Sequence, residues 1–129
     1  MEKMIAKTRP KNLDLRTIRL PLPGVVSILH RVSGAVLYLF GIPLLLLLLQ
    51  SSLRSRESFE AVGAALAHPF SKLVLLGFAW AFWHHCCAGV RFLLLDIHKG
   101  VQIEAARTGS RWVLIVSLLL TALTGVFLW

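Results

Sequence analysis

Three long apolar blocks, at residues 25–49, 73–95 and 112–129, leave this 129-residue chain little choice of solvent. Each is close to the ~20 residues that cross ~30 Å of hydrocarbon as a helix. At 57% apolar residues, the chain holds more than the core of a soluble domain of this size can bury. Lipid takes up the excess, and helices pair the backbone groups that hydrocarbon cannot solvate. The expected fold class is all-α: an integral membrane three-helix bundle, one domain over residues 1–129, with spans at about 24–50, 70–96 and 110–129. The first block is too long and starts too late for a cleaved signal peptide.

A net charge of +8 in a soluble protein would suggest nucleic acid, but here the basic residues flank apolar spans, so no nucleic-acid partner is expected and membrane lipid is. Lys3, Lys7, Arg9, Lys11, Arg16 and Arg19 precede the first span, and Lys99, Arg107 and Arg111 surround the second loop. Arg54, Arg56 and Lys72 surround the first loop. Because positive residues stay inside, the N-terminus and second loop are placed in the cytoplasm and the C-terminus outside.

Two prolines and a glycine in Leu20-Pro21-Leu22-Pro23-Gly24 oppose a continuous helix, which puts the first helix start near Gly24. Pro43 removes the helical bond to the Leu39 carbonyl and predicts a kink. Between the first two spans, Phe59, Val62 and Leu66 recur at helical spacing, as a segment on the membrane surface would. The third span is framed by Trp112 and Trp129, which suit the two interfaces, and its lack of ionisable residues makes it scaffold. Cys86 and Cys87 are adjacent on one helix, a spacing that suits neither a zinc site nor a disulfide, so they read as small packing residues.

Ionisable side chains at mid-membrane cost roughly 2.5 to 3.5 kcal/mol on insertion scales, so they face the bundle interior and have partners. Ser27, His30, Arg31 and Gly34 fall at i, i+3, i+4 and i+7, one stripe of the first helix, with His30 and Arg31 ~10 Å into the span. Either Arg31 snorkels to the headgroups while His30 bonds a neighbouring helix, or the stripe is an anion or cofactor site. The second helix carries His84, His85, Gly89, Arg91 and Asp96, of which His85, Gly89 and Asp96 share a stripe with Phe92. A histidine with a glycine one turn away is what a haem needs: imidazole ligates the iron, and the missing side chain leaves room for the macrocycle. The plainer reading of such a histidine is an interhelical hydrogen bond. His85 lies ~16 Å from Asp96 along the helix, with Arg31 shallower, so one amphiphilic cofactor fits: iron at His85 and propionates toward Arg31. His68 and His98 sit at span ends, which argues for one haem rather than two.

These residues resemble a known family, the cytochrome b subunit of succinate dehydrogenase, the larger of its two bacterial membrane anchors. Three motifs carry the resemblance nearly end to end: Arg9-Pro10 with Asn12-Leu13-Asp14-Leu15, then Ser27-Ile28-Leu29-His30-Arg31-Val32-Ser33-Gly34, then His85-x3-Gly89-x-Arg91 with Asp96. The resemblance implies an anchor that pairs with a second three-helix subunit, shares one b-type haem with it, and docks iron-sulfur and flavoprotein subunits on the cytoplasmic face. It implies no catalysis by this chain alone, with succinate oxidised elsewhere and electrons passed to a quinone substrate. It assigns His85 as the axial haem ligand, His30 and Arg31 to the propionates, and Ser27 and Arg31 to the quinone site, with Ile28 and Leu15 as candidate apolar wall. Relatives often carry His where this chain has Phe92. Residues 1–22 are basic like a mitochondrial presequence, but the family pattern already starts at Arg9, which favours a bacterial inner membrane. The rival readings are a fumarate reductase anchor running the reaction in reverse, and a small transporter or structural membrane protein without haem.

Overall fold

The computed structural model describes residues 17–129, and among them every regular element is helical. Helix α1 (Leu22–Val36) starts straight after Pro21, with Pro23 in its first turn, where the missing N–H has no helical partner to lose. A single π turn, Leu37–Gly41, joins it to α2 (Ile42–Ser52), and together they make one span of 31 residues. A short α3 (Arg56–Ala67) follows, then α4 (Pro69–Asp96) and α5 (Ile103–Leu128). The α1–α2 span, α4 and α5 are the three helices long and apolar enough to cross a membrane.

The π turn is the answer of the backbone to Pro43. Without an N–H at that position the α-helical ladder is broken, and the Ile42 N–H instead reaches five residues back to the Leu37 carbonyl. The kink expected at Pro43 takes the form of this wider turn just before it. Its consequence is a split span: α1 packs against both α4 and α5, whereas α2 packs on α3 and touches neither.

Inside the bundle the packing is small and polar, with Val26, Ala81, Ala88 and Val113 buried beside Ser33, His84, Ser110 and Ser117. The large apolar side chains, such as Leu45, Leu47 and Phe127, point outward, as suits a bundle whose solvent is as apolar as they are. Small residues let helices approach closely. At Gly125 an added Cβ would stand 3.1 Å from Leu76 Cδ2, whereas at Gly77 it would meet nothing within 4 Å. Trp83 Nε1 donates to Thr124 Oγ1 at 2.9 Å, a further tie between α4 and α5.

The helix ends show what periodicity left unread. The segment carrying Phe59, Val62 and Leu66 is indeed helical, started by a reciprocal cap in which the Ser55 and Ser58 hydroxyls each accept from the other's backbone N–H. His68 caps α4 by accepting from the Phe70 N–H at 3.2 Å, with Pro69 next to it. At the other end His98 takes φ 60°, the left-handed position usual for glycine, and the Lys99 N–H closes on the Leu94 carbonyl at 2.9 Å. The third long helix starts at Ile103, well before residue 110, because Glu104, Ala105, Ala106 and Arg107 are good helix formers even though they are polar or small.

Gly125→Leu should destabilise the detergent-solubilised protein by about 1–3 kcal/mol through overpacking against Leu76. Gly77→Ala should leave stability unchanged or raise it, since alanine is about 0.5–1 kcal/mol better than glycine inside a helix. Thermal unfolding of the two variants side by side checks the pair.

Candidate functional site

The site is built on a mutual fit between α1 and α4. His85 reaches across from α4 to the α1 backbone, where its Nδ1 lies 3.0 Å from the His30 carbonyl oxygen. A carbonyl can only accept, so Nδ1 carries the proton, and Nε2 keeps its lone pair. Nε2 makes no hydrogen bond among the described residues. This approach is possible because Gly34, one turn beyond His30, has no side chain: a Cβ there would stand 2.7 Å from His85 Cε1 and 3.1 Å from Nδ1. The buried Ser33 completes the contact, its hydroxyl donating to the same His30 carbonyl at 2.9 Å and lying 3.4 Å from His85 Nδ1.

The reverse contact uses the other glycine. The His30 ring stacks flat on His85, with centroids 4.2 Å apart and planes within 6°, and its Nε2 lies 3.6 Å from where a Cβ at Gly89 would be. Phe92 meets the same ring at 5.1 Å in a tilted arrangement. The space beside Gly89, expected from sequence to admit a flat macrocycle, is thus taken by His30, and the glycine that makes room for His85 is Gly34. The phenyl group at position 92 packs against His30 and the Val26–Ala88–Val113 cluster.

His85 also lines a groove of about 760 Å³, within the size range of small-molecule sites. Its walls are apolar, with Leu37, Leu44 and Leu48 from the split span facing Phe78 and Phe82 of α4. The groove exists because α2 leans away from α4. Cys86 is free and contributes to its lining, and Cys87 is free and half-buried, in keeping with packing roles.

His84 behaves differently from its neighbour. It is fully buried, stacked at 5.3 Å on Trp80, and neither ring nitrogen has a hydrogen-bond partner, although the Val26 backbone lies close by. Arg91 is buried as well. Its guanidinium turns to α5, donating to the Ala106 carbonyl at 3.4 Å and lying against Gly109, and not to Asp96 five residues on. Among the described residues the sole ion pair is Arg56–Glu60, on the surface of α3, and Asp96 is exposed.

The structure brings His30 and His85 together, but of the site candidates His85 alone lines the groove. Ser27 is half-buried, Ile28 and Arg31 are exposed on α1, and none of the three lines the groove. Arg31 makes no hydrogen bond or ion pair among the described residues, so its donors are available to another molecule. Leu15 lies outside the described residues. Sequence reading placed Gly34 on the stripe of the first helix and Ser33 in the same motif but gave neither a part in the site; the Ser-Gly pair one turn past His30 is the only signal that pointed to either.

Three apolar helices define a multi-pass membrane protein, with a paired-histidine contact between the first span and α4, and comparison with known proteins gives its family. Residues 5–124 match the family described as succinate dehydrogenase/fumarate reductase transmembrane subunit, and the chain belongs to that family. It is 35% identical over 122 residues to the succinate dehydrogenase cytochrome b556 subunit of Coxiella burnetii, covering 94% of this chain and 97% of that one. It is 33% identical over 116 residues to the subunit of the same name from Paracoccus denitrificans, covering 90% of this chain and 88% of that one.

If Arg91 is tied to α5 rather than to Asp96, Asp96→Asn should change stability by less than about 0.5 kcal/mol, while Arg91→Ala should lower it by about 1–3 kcal/mol. Thermal unfolding in detergent of the two single variants and the double variant measures this, and a coupling between them in the double-variant cycle would show that the pair forms after all.

Proposed function

We propose that this chain is the cytochrome b anchor of a succinate:quinone oxidoreductase, holding one b-type haem together with a second membrane subunit and helping to form the quinone site. The observation that carries the reading is the state of His85: Nδ1–H bonded to a backbone carbonyl, Nε2 unengaged, in an apolar groove of haem-compatible size. A histidine that ligates a metal characteristically gives its other N–H to such an acceptor. His84 has no such arrangement, being closed in on every side. Among the described residues no three His, Cys, Asp or Glu side chains converge as a bare ion would require, whereas haem iron needs only one histidine from this chain.

The residues therefore fit the group. When bound, a haem would supply one-electron redox chemistry. His85 would hold the iron, and Arg31, with His30 nearby on the same helix, would hold the propionates, since a guanidinium matches a carboxylate in a bidentate pair. A further histidine for the iron would come from the partner subunit, because His30 is occupied in stacking and His84 is buried.

Quinone reduction adds two electrons and two protons, so a site needs donors that polarise the carbonyl oxygens. Ser27 offers a hydroxyl and Arg31 a permanent charge, with Ile28 and Leu15 as apolar wall. The two protons come through water, Asp96 or a partner residue. The iron-sulfur and flavoprotein subunits dock on the cytoplasmic side, where the N-terminus and the α4–α5 loop lie, with the C-terminus outside a bacterial inner membrane. Residues 1–129 act as a single anchor domain, and the chain has no catalysis of its own. The names of the relatives favour succinate oxidation over fumarate reduction.

In the complex purified from its native membrane, His85→Ala should lose the b-type signal in a dithionite-reduced minus oxidised spectrum, while His84→Ala should keep most of it. Equal haem in both variants would refute the assignment. Arg31→Ala should lower succinate–quinone reductase activity at least tenfold with succinate oxidation by a soluble dye retained; unchanged quinone kinetics would remove Arg31 from the site.

A further inference from the structure

We infer that Gly34 and Ser33 are positioning residues that act in opposite directions on the electron donation of His85 to a haem iron. The inference rests on the reading of His85 as an axial ligand. A ring whose Nδ1–H is given to a carbonyl gains imidazolate character, which makes Nε2 the stronger donor and favours ferric over ferrous iron. The strength of the bond to the His30 carbonyl is thus a control on the reduction potential, and two neighbouring residues set it.

Gly34 permits the bond. With a Cβ 2.7 Å from Cε1, the imidazole must withdraw, and the 3.0 Å contact to the carbonyl lengthens or breaks. Ser33 weakens it. Its hydroxyl, 3% exposed and with no competing solvent, donates to the same oxygen at 2.9 Å, so two donors share one acceptor. The 3.4 Å separation between Ser33 Oγ and His85 Nδ1 is too long for the hydroxyl to replace the carbonyl as the main partner. The stacked His30 ring closes one face of the imidazole, which keeps this arrangement from relaxing by ring rotation.

The test is a redox titration of the haem in the assembled complex, followed optically, with the low-spin ferric EPR spectrum recorded on the same samples. Gly34→Ala should raise the midpoint potential and move the EPR g values; Ser33→Ala should lower the potential, with haem content unchanged. Opposite signs are the signature, because general loosening of the helix contact moves both variants the same way. Flavin content and succinate–dye activity report assembly independently of the haem. Loss of haem from an otherwise assembled Gly34→Ala complex also supports the inference. Should that variant fail to assemble, Ser33→Ala decides alone, and an unchanged or raised potential overturns the proposal. An assembled Gly34→Ala complex with native potential and g values overturns it too. Full haem content in His85→Ala defeats the axial reading and this inference with it, whereas loss of haem there combined with unresponsive Ser33 and Gly34 variants defeats this inference alone.

Discussion

The missing N–H of Pro43 is the constraint on which the architecture turns. A membrane span cannot leave backbone groups unpaired in hydrocarbon, so the chain re-registers its hydrogen bonds as a π turn rather than break the helix. That change divides one span into a half that belongs to the bundle and a half that does not. Everything distinctive about the site follows from the division: α1 is held close enough to α4 for side chains of one to touch the backbone of the other, and α2 is far enough away to leave a groove beside the same histidine.

Within the close half, two glycines face the paired imidazoles from opposite sides. Gly34 makes room for His85, where an added Cβ would stand 2.7 Å from the ring, whereas a Cβ at Gly89 would meet His30 at 3.6 Å, an ordinary contact. The contact is also chemical, since it fixes which nitrogen of His85 carries the proton. Packing and protonation are linked here: a methyl group on α1 would displace the ring on α4 from the carbonyl that holds its proton.

Much of this was legible in the sequence. The three spans follow from apolar blocks of the right length, and His85 stood out because an ionisable residue in a span needs a reason to be there. The kink was readable from Pro43, but its form was not, because whether a helix bends or widens depends on the neighbouring turns. Gly89 drew attention through its spacing to His85 on the same helix; Gly34, which matters more to that ring, sits on another helix, and spacing along one helix cannot show contacts across two. The end of α4 misled in the same way: Arg91 and Asp96 are close in sequence, yet the arginine stem finds Gly109 of α5. Residue 110 was a boundary of polarity and not of helix, so the start of α5 fell earlier. Ile28 and Arg31 are presented on the outer face of α1 with Ser27 half-buried beside them, and no pattern within one chain reveals what meets them.

The stripe of α4 that turns inward carries Ala81, His84, Ala88 and Arg91, and α4 is the least apolar of the three spans. The helix richest in chemistry is therefore the one that the translocation machinery would release into lipid with the least driving force. Its polar groups become acceptable only when α1 and α5 are already alongside to enclose them. Biogenesis of such a chain is a cooperative event, in which the first helix waits in the membrane as a template and the third commits the second to stay.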